Sequence, residues 1–213
     1  MAEILPALDG REERRGEALL ARPTDGPNDP YGDGYTVAPL AAYSTNFCYF
    51  WVTTGPDAVP LTDSNANGIP DYIDVLATTA EHVFTVEHGD LGWQVPPRDG
   101  TLGCTAPDGR SRTDIYAKAL DGLYGYVAVD PGQNGKKQFS FLVIDNDMAN
   151  LGYNNFIPPL QVTTAHEYNH VIQDGYDVLQ DQWAARARPR GWRRSSTRRS
   201  TTTSSTCPTS PTT

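Results

Sequence analysis

The sequence predicts an α+β protein. Two segments carry helical periodicity, Pro70 to about His88 and about Leu160 to Gln173, and short aromatic and β-branched runs between turns read as strands. No apolar run approaches the eighteen or so residues of a membrane helix, so no span is expected. The 213 residues suffice for one ordinary domain or part of a two-lobed one. With 19 Gly, 17 Pro and 38% hydrophobic residues, the chain is expected to be loop-rich around a modest core.

Residues 1–35 are charged and then turn-rich: Arg11-Glu12-Glu13-Arg14-Arg15 suits a short solvated helix, and Asp25 to Gly34 reads as loop. This stretch is expected to be a leader or pro-segment remnant. Phe47, Tyr49, Phe50, Trp51 and Val52 favour a strand that Gly55-Pro56 ends. Pro70 opens the first helix, with Tyr72, Val75 or Leu76, Thr79, Val83 and Val86 on one stripe and Gly89 as the stop. Strands are expected at Thr113–Ala119, Leu123–Val129 and Gln138–Asp145, separated by Asp121-Gly122 and the Pro131–Lys137 turn, as an antiparallel meander. In the last helix Ala165, Tyr168 and Ile172 form a buried back face.

The formal charge of -9 is unevenly spread. All 26 acidic residues lie at or before Asp181, while residues 184–213 hold seven arginines and no acid. An acidic body argues against a nucleic-acid partner, which needs clustered Lys and Arg. It suits an extracellular protein that binds hard cations. Met1 to Gly10 lacks the basic start and apolar stretch of a signal peptide, so an export signal is expected upstream or not at all. Cys48 and Cys104 either pair, which the chain-entropy estimate values at roughly 4 kcal/mol, or remain buried thiols.

The sharpest motif is His166-Glu167-Tyr168-Asn169-His170. Residues four apart lie one turn above each other, so His166 and His170 can offer two imidazoles to one zinc ion, with Glu167 beside them as general base. Zinc accepts neutral imidazole, leaves a position for water and lowers that water's pKa towards 7. A second motif runs from Asp63 to Asp74. Asp63, Asn65, Asn67, the carbonyl of Ile69, Asp71 and Asp74 occupy loop positions 1, 3, 5, 7, 9 and 12 of an EF-hand-type calcium loop, with Gly68 at the sharp turn. Asn at positions 3 and 5 and the short Asp74 in place of glutamate predict weak affinity, about 10⁻⁴–10⁻³ M. Asp145 and Asp147 are expected to cap a strand end rather than bind a cation, and His82 and His88 to be surface or half-buried residues rather than ligands.

With these motifs the chain resembles the zincin metallopeptidases, in particular a family of secreted bacterial metallopeptidases. The resemblance rests on Val52-Thr53-Thr54-Gly55, Asp63–Asp74, Tyr124-Gly125-Tyr126, Ile144-Asp145-Asn146-Asp147 and Thr164–Gln173, in that order, and covers roughly Gly34 to Trp183. It implies a zincin-like N-terminal lobe over residues 36–183, a twisted, mainly antiparallel sheet above the zinc helix, and a peptide lying along Gln138–Asp145 as edge strand. It also implies a third zinc ligand beyond His170. Here the chain departs: Asp174, Asp177 and Asp181 are the only acids after the motif, with no later Glu or His.

From Ser195 onward, 14 of 19 residues are Ser or Thr, and the preceding arginines are crowded. Residues 184–213 therefore read as a disordered tail, either a true linker or coding sequence in a shifted frame. Codon degeneracy over Ala185–Arg193 permits Glu-Gly-Ser-Ala-Thr-Trp-Met-Glu in another frame, which would restore a glutamate about sixteen residues past His170 and leave the C-terminal lobe missing here. The expected function is a secreted zinc endopeptidase acting on protein or peptide, with Zn2+ catalytic and Ca2+ structural, impaired by loss of the third ligand. The alternative is a non-catalytic, calcium-stabilised extracellular surface or adhesion module.

Overall fold

Five short strands and two long helices make up the regular structure of the computed structural model, which describes residues 21–25 and 34–178 except 101, 105, 121, 131, 132, 134, 150, 151 and 154. The elements are β1 (Leu40–Tyr43), β2 (Phe47–Trp51), α1 (Asp71–Phe84), a π-helical turn (Thr85–Asp90), β3 (Thr113–Lys118), β4 (Gly125–Val129), β5 (Ser140–Asp145) and α2 (Ile157–Asp177). The expected short helix at Arg11–Arg15, the tail 184–213 and Asp181 lie outside the described residues.

The α+β class holds, but the sheet is mixed rather than mainly antiparallel. Its order is β1-β2-β3-β5-β4. β2 pairs with β3 and β3 with β5 in parallel, while β1 and β4 are antiparallel edges. The expected meander is therefore wrong, since β4 passes beyond β5 instead of lying between β3 and β5. Burial explains the order. Every residue of β5 is buried, whereas β4 buries only Ala128. The unbroken run Phe141-Leu142-Val143-Ile144 can be covered on both faces only in the sheet interior, as for parallel strands under helices. Gln138–Asp145 is accordingly not the edge, and β4 is.

Alternation along the strands builds two cores. Phe47, Tyr49, Trp51, Ile115, Ala117, Leu142 and Ile144 meet Leu76, Ala80 and Val83 of α1 and Leu160, Tyr168, Val171 and Ile172 of α2. Cys48, Phe50, Tyr116, Phe141 and Val143 face the other way, under Tyr35, Cys104 and Ala106. There Cys48 and Cys104 form a disulfide with Cα atoms 6.0 Å apart, which decides the alternative left open by the sequence. On the same side Arg22 is buried, 5% exposed, stacked over the Phe141 ring and bonded to Asp99, Asp114, Asp130 and the Tyr116 hydroxyl.

α2 runs past both of its expected ends. α2 begins at Ile157, because Pro158 and Pro159 fall in the first turn, where backbone N–H groups have no intrahelical partner anyway. It continues beyond Gln173 because Gly175 is not a stop. A Cβ there would lie 2.9 Å from Pro96 Cβ and 3.0 Å from Pro97 Cδ, so Gly175 lets the 91–97 segment pack on the helix. The expected helix to His88 is α-helical only to Phe84, and the π-helical turn carries it to Asp90.

Candidate metal centre

α2 lies against α1, β4 and β5, and its rotation decides what His166 and His170 face. Tyr168 fixes that rotation from the buried side. Its ring packs edge-on against Phe47 at 5.1 Å between centroids, and its hydroxyl lies 2.8 Å from His88 Nε2. His88 Nδ1 is 2.9 Å from the Trp93 carbonyl, which can only accept, so Nδ1 carries the proton and Nε2 accepts from Tyr168. His88 is thus a tie between the helices, and His82 is an exposed residue of α1.

With Tyr168 turned inward, His166 and His170 face outward with their rings at 87° and their Nε2 atoms 3.2 Å apart. Two nitrogens bound to one tetrahedral zinc at about 2.0–2.1 Å would stand about 3.3 Å apart. The imidazole pair therefore has the spacing that a shared ion needs. His170 Nδ1 donates to Gln173 Oε1 at 3.0 Å, and Gln173 is held in turn by donating to Asn169 Oδ1 at 2.9 Å. That chain leaves the His170 Nε2 lone pair directed at the site, the usual role of a metal histidine's outer partner.

Glu167 is only 8% exposed and shares a cavity of about 500 Å³ with His166, Leu123, Tyr124, Gly125 and Tyr153. Burial pushes its carboxyl above the usual range, partly opposed by His170. Gly125 sets how closely β4 approaches: a Cβ would lie 2.9 Å from Thr163 Cγ2 and from the Val143 carbonyl, and 3.1 Å from Glu167 Cγ. Only glycine lets the edge strand lie directly beside the Glu167 side chain.

Neither described acid downstream of His170 joins the pair. Asp174 accepts from Ser140 Oγ at 2.6 Å, and Asp177 pairs with Lys136 at 3.2 Å. Among the described residues no group of three His, Cys, Asp or Glu converges as a ligand set.

The Asp63–Asp74 loop curls on itself as its spacing predicts. Asp63 accepts from the backbone of Asn67 at 3.2 Å and of Gly68 at 2.9 Å, and Gly68 takes a φ of 85°. Asn65 and Asn67 both bring their side-chain amides to Asp74, at 2.8 and 3.0 Å. Asn65 Oδ1 accepts from the Asn67 N–H at 3.0 Å, so both amides turn an oxygen to the backbone and a donor to Asp74. Asp71 accepts from the Ser64 backbone and hydroxyl at 2.9 and 2.6 Å, which holds its carboxyl below the usual range. The Ile69 N–H bonds Asn67 Oδ1 at 2.7 Å.

Asp145 accepts from the backbone N–H groups of Leu120, Asp147 and Met148, and Asp147 from that of Ala149, so both satisfy turn backbone as expected. Gln173 and the Arg22 cluster were not singled out in the sequence. Compared with protein-family profiles, curated proteins and solved structures, the chain gives no match. Among the described residues no helix is long and apolar enough to cross a membrane.

Proposed function

We propose that this protein is a zinc-dependent endopeptidase in which His166 and His170 hold the metal and Glu167 is the general base. The observation that carries the reading is the convergence of two Nε2 atoms at 3.2 Å beside a buried carboxylate that opens on a cavity. Bound zinc would lower the pKa of a water and polarise a peptide carbonyl. Glu167 takes the proton from the attacking water and passes it to the leaving amine, a step worth about 10²–10⁴ in rate. Its largely apolar surroundings strengthen that proton transfer by excluding bulk water.

β4 supports a protein or peptide substrate. As an antiparallel edge it has one side unpaired within the sheet, and Gly125 brings it against Glu167. An extended peptide could add to this edge by backbone hydrogen bonds, with one side chain in the cavity under Leu123, Tyr124 and Tyr153. Secretion and structural calcium at Asp63, Asn65, Asn67, Ile69, Asp71 and Asp74 belong to the same reading. With two imidazoles as the described ligands, turnover by this chain is expected to be slow.

Cleavage of a denatured protein with added zinc tests the proposal, with and without a chelator and with Glu167→Gln. The expected result is slow cleavage that the chelator abolishes, and that Glu167→Gln abolishes while still retaining zinc. Cleavage unaffected by both would overturn it. No cleavage at all, with stability that depends on calcium, would favour the binding-module alternative.

A further inference from the structure

The loop of residues 99–111 leads into β3 on the sheet face away from the helices, where Cys104 and Ala106 join the second core. Among the described residues its hydrogen bonds stay within the loop or reach Arg98 and Arg112 at its ends. Asp99 is the exception, accepting from Arg22 Nη2 at 2.7 Å. Apart from the small buried side chain of Ala106, two fastenings therefore hold this loop to the sheet face: the Cys48–Cys104 disulfide and the Asp99–Arg22 ion pair.

The two fastenings meet. Cys48 and Asp114 are opposite each other in the parallel β2–β3 register, so the disulfide adjoins the Arg22–Asp114 ion pair. Gly103, next to Cys104, lies over that pair so closely that a Cβ on it would overlap Asp114 Oδ2 and Arg22 Nη1. The loop thus seals the ion pair, and a pair kept from water attracts far more strongly than a hydrated one. Arg22 in turn docks a strap of residues 21–25. Within it the Asp25 N–H donates to the Arg22 carbonyl at 2.9 Å, and the Tyr35 N–H donates to the Pro23 carbonyl at 2.7 Å.

From the sealing position of Gly103, the shared register of Cys48 and Asp114 and the scarcity of other ties, we propose that the Cys48–Cys104 disulfide is a redox latch for the N-terminal strap. Oxidised, it holds Gly103 over the Arg22–Asp114 pair and keeps the pair dry. A dithiol reductant breaks the S–S bond by supplying two electrons and two protons, leaves the Cys48 and Cys104 thiols, and becomes a disulfide itself. Leu102 is 62% exposed, so local opening at the loop tip admits the reductant. Once reduced, the loop is held chiefly by Asp99 on Arg22, water reaches the cluster, and the strap undocks. The coupling is reciprocal: a docked Arg22 makes the disulfide harder to reduce by the factor with which the disulfide tightens the strap. The latch works whether or not the imidazole pair holds zinc.

The test is native-state hydrogen exchange on the full chain carrying Cys207→Ser, so that no third thiol can exchange, before and after reduction with dithiothreitol. The Asp25 and Tyr35 amides report the strap, and the Leu142 and Ile144 amides of β5 report the sheet. Reduction should speed exchange at Asp25 and Tyr35 about 5–150-fold, the usual range for coupled sites, and leave Leu142 and Ile144 protected. A second measurement follows the same link from the other side and needs no reduced chain to stay folded. The dithiothreitol concentration that half-reduces Cys48–Cys104 should fall in Arg22→Met by the factor seen in exchange. Unchanged protection of Asp25 and Tyr35 in the reduced chain would overturn the latch, as would loss of protection at all four amides together, which marks a general staple. An equal half-reduction point in Arg22→Met and the parent chain would overturn it as well.

Discussion

At His170 the ring nitrogen that faces His166 is set by a residue outside the pair. Gln173 Oε1 accepts from the Nδ1–H, and Gln173 is itself anchored by donating to Asn169, so the imidazole has one tautomer and one orientation. Gln173→Ala is expected to lower zinc affinity about 10–100-fold, the usual cost of losing such a partner. Gln173→Glu, whose carboxylate still accepts, should restore it. Competition with a chromophoric chelator measures both, and unchanged affinity in Gln173→Ala would show that the contact does not orient the ring. The closeness of His166 and His170 was legible in the sequence because a helical period alone puts i and i+4 on one face. Gln173 was not, because a glutamine three residues past a histidine is ordinary in any helix. Arg22 was hidden for a different reason: its carboxylate partners Asp99, Asp114 and Asp130 lie 77 to 108 residues away in the chain.

Among the elements, the curl of the Asp63–Asp74 loop was readable because its polar side chains, its glycine and the helix that follows are local in sequence. Its side chains already surround Asp74, so a cation there would replace amide donors facing a carboxylate and tie the loop to the start of α1. Millimolar calcium is therefore expected to raise the melting temperature, and EDTA to lower it. The gain approaches roughly 2.7 kcal/mol only at about a hundredfold over the dissociation constant, and is less at the weak affinity expected. Asp74→Ala should remove the response, and a melting temperature indifferent to calcium would count against the loop as a site. Sheet order was harder to read. Turn residues between strands mark where each ends but not which strand it joins, and the β3-β5 pairing spans the whole of β4. A signal was present in the contrast between the continuous apolar run 141–144 and Gly125-Tyr126-Val127-Ala128-Val129, whose glycine and half-exposed side chains suit an edge. The extra residues of α2, three before Leu160 and four after Gln173, depended on packing that no local pattern reports, above all Gly175 on Pro96 and Pro97.

For the whole molecule, the two faces of the sheet have different electrostatics. The helix face is a mainly apolar core crossed by a few polar ties, such as Glu81 to Asn46 and Asp174 to Ser140. On the opposite face a single guanidinium serves Asp99, Asp114 and Asp130, and one Asp114 oxygen is buried without a partner. Burial, together with the Asp99 charge, pushes the Asp114 carboxyl up to about 7, despite Arg22. Burial likewise raises Asp130. A carboxyl whose folded pKa lies above its unfolded value of about 3.9 binds extra protons in the native state. Its contribution is fully present below the unfolded pKa and is lost as pH rises through the folded one. The protein is therefore expected to lose stability from about pH 4 to just above 7, and Asp114→Asn should flatten that slope in chemical denaturation at several pH values. A slope unchanged by the substitution would exclude Asp114 as its source. Arg22→Met leaves the carboxylates unpaired and should cost about 3–5 kcal/mol, as for other broken buried ion pairs.

The central claim is that the outward face of α2 is a zinc site, and zinc K-edge X-ray absorption on the full chain with one equivalent of zinc tests it most directly. The predicted spectrum has two imidazole nitrogens at about 2.0–2.1 Å, with the outer-shell scattering of their rings, completed by oxygen ligands. The pair should vanish in the His166→Ala, His170→Ala double variant and persist in Glu167→Gln. A spectrum without two imidazoles, or one that the double variant leaves unchanged, would contradict the claim.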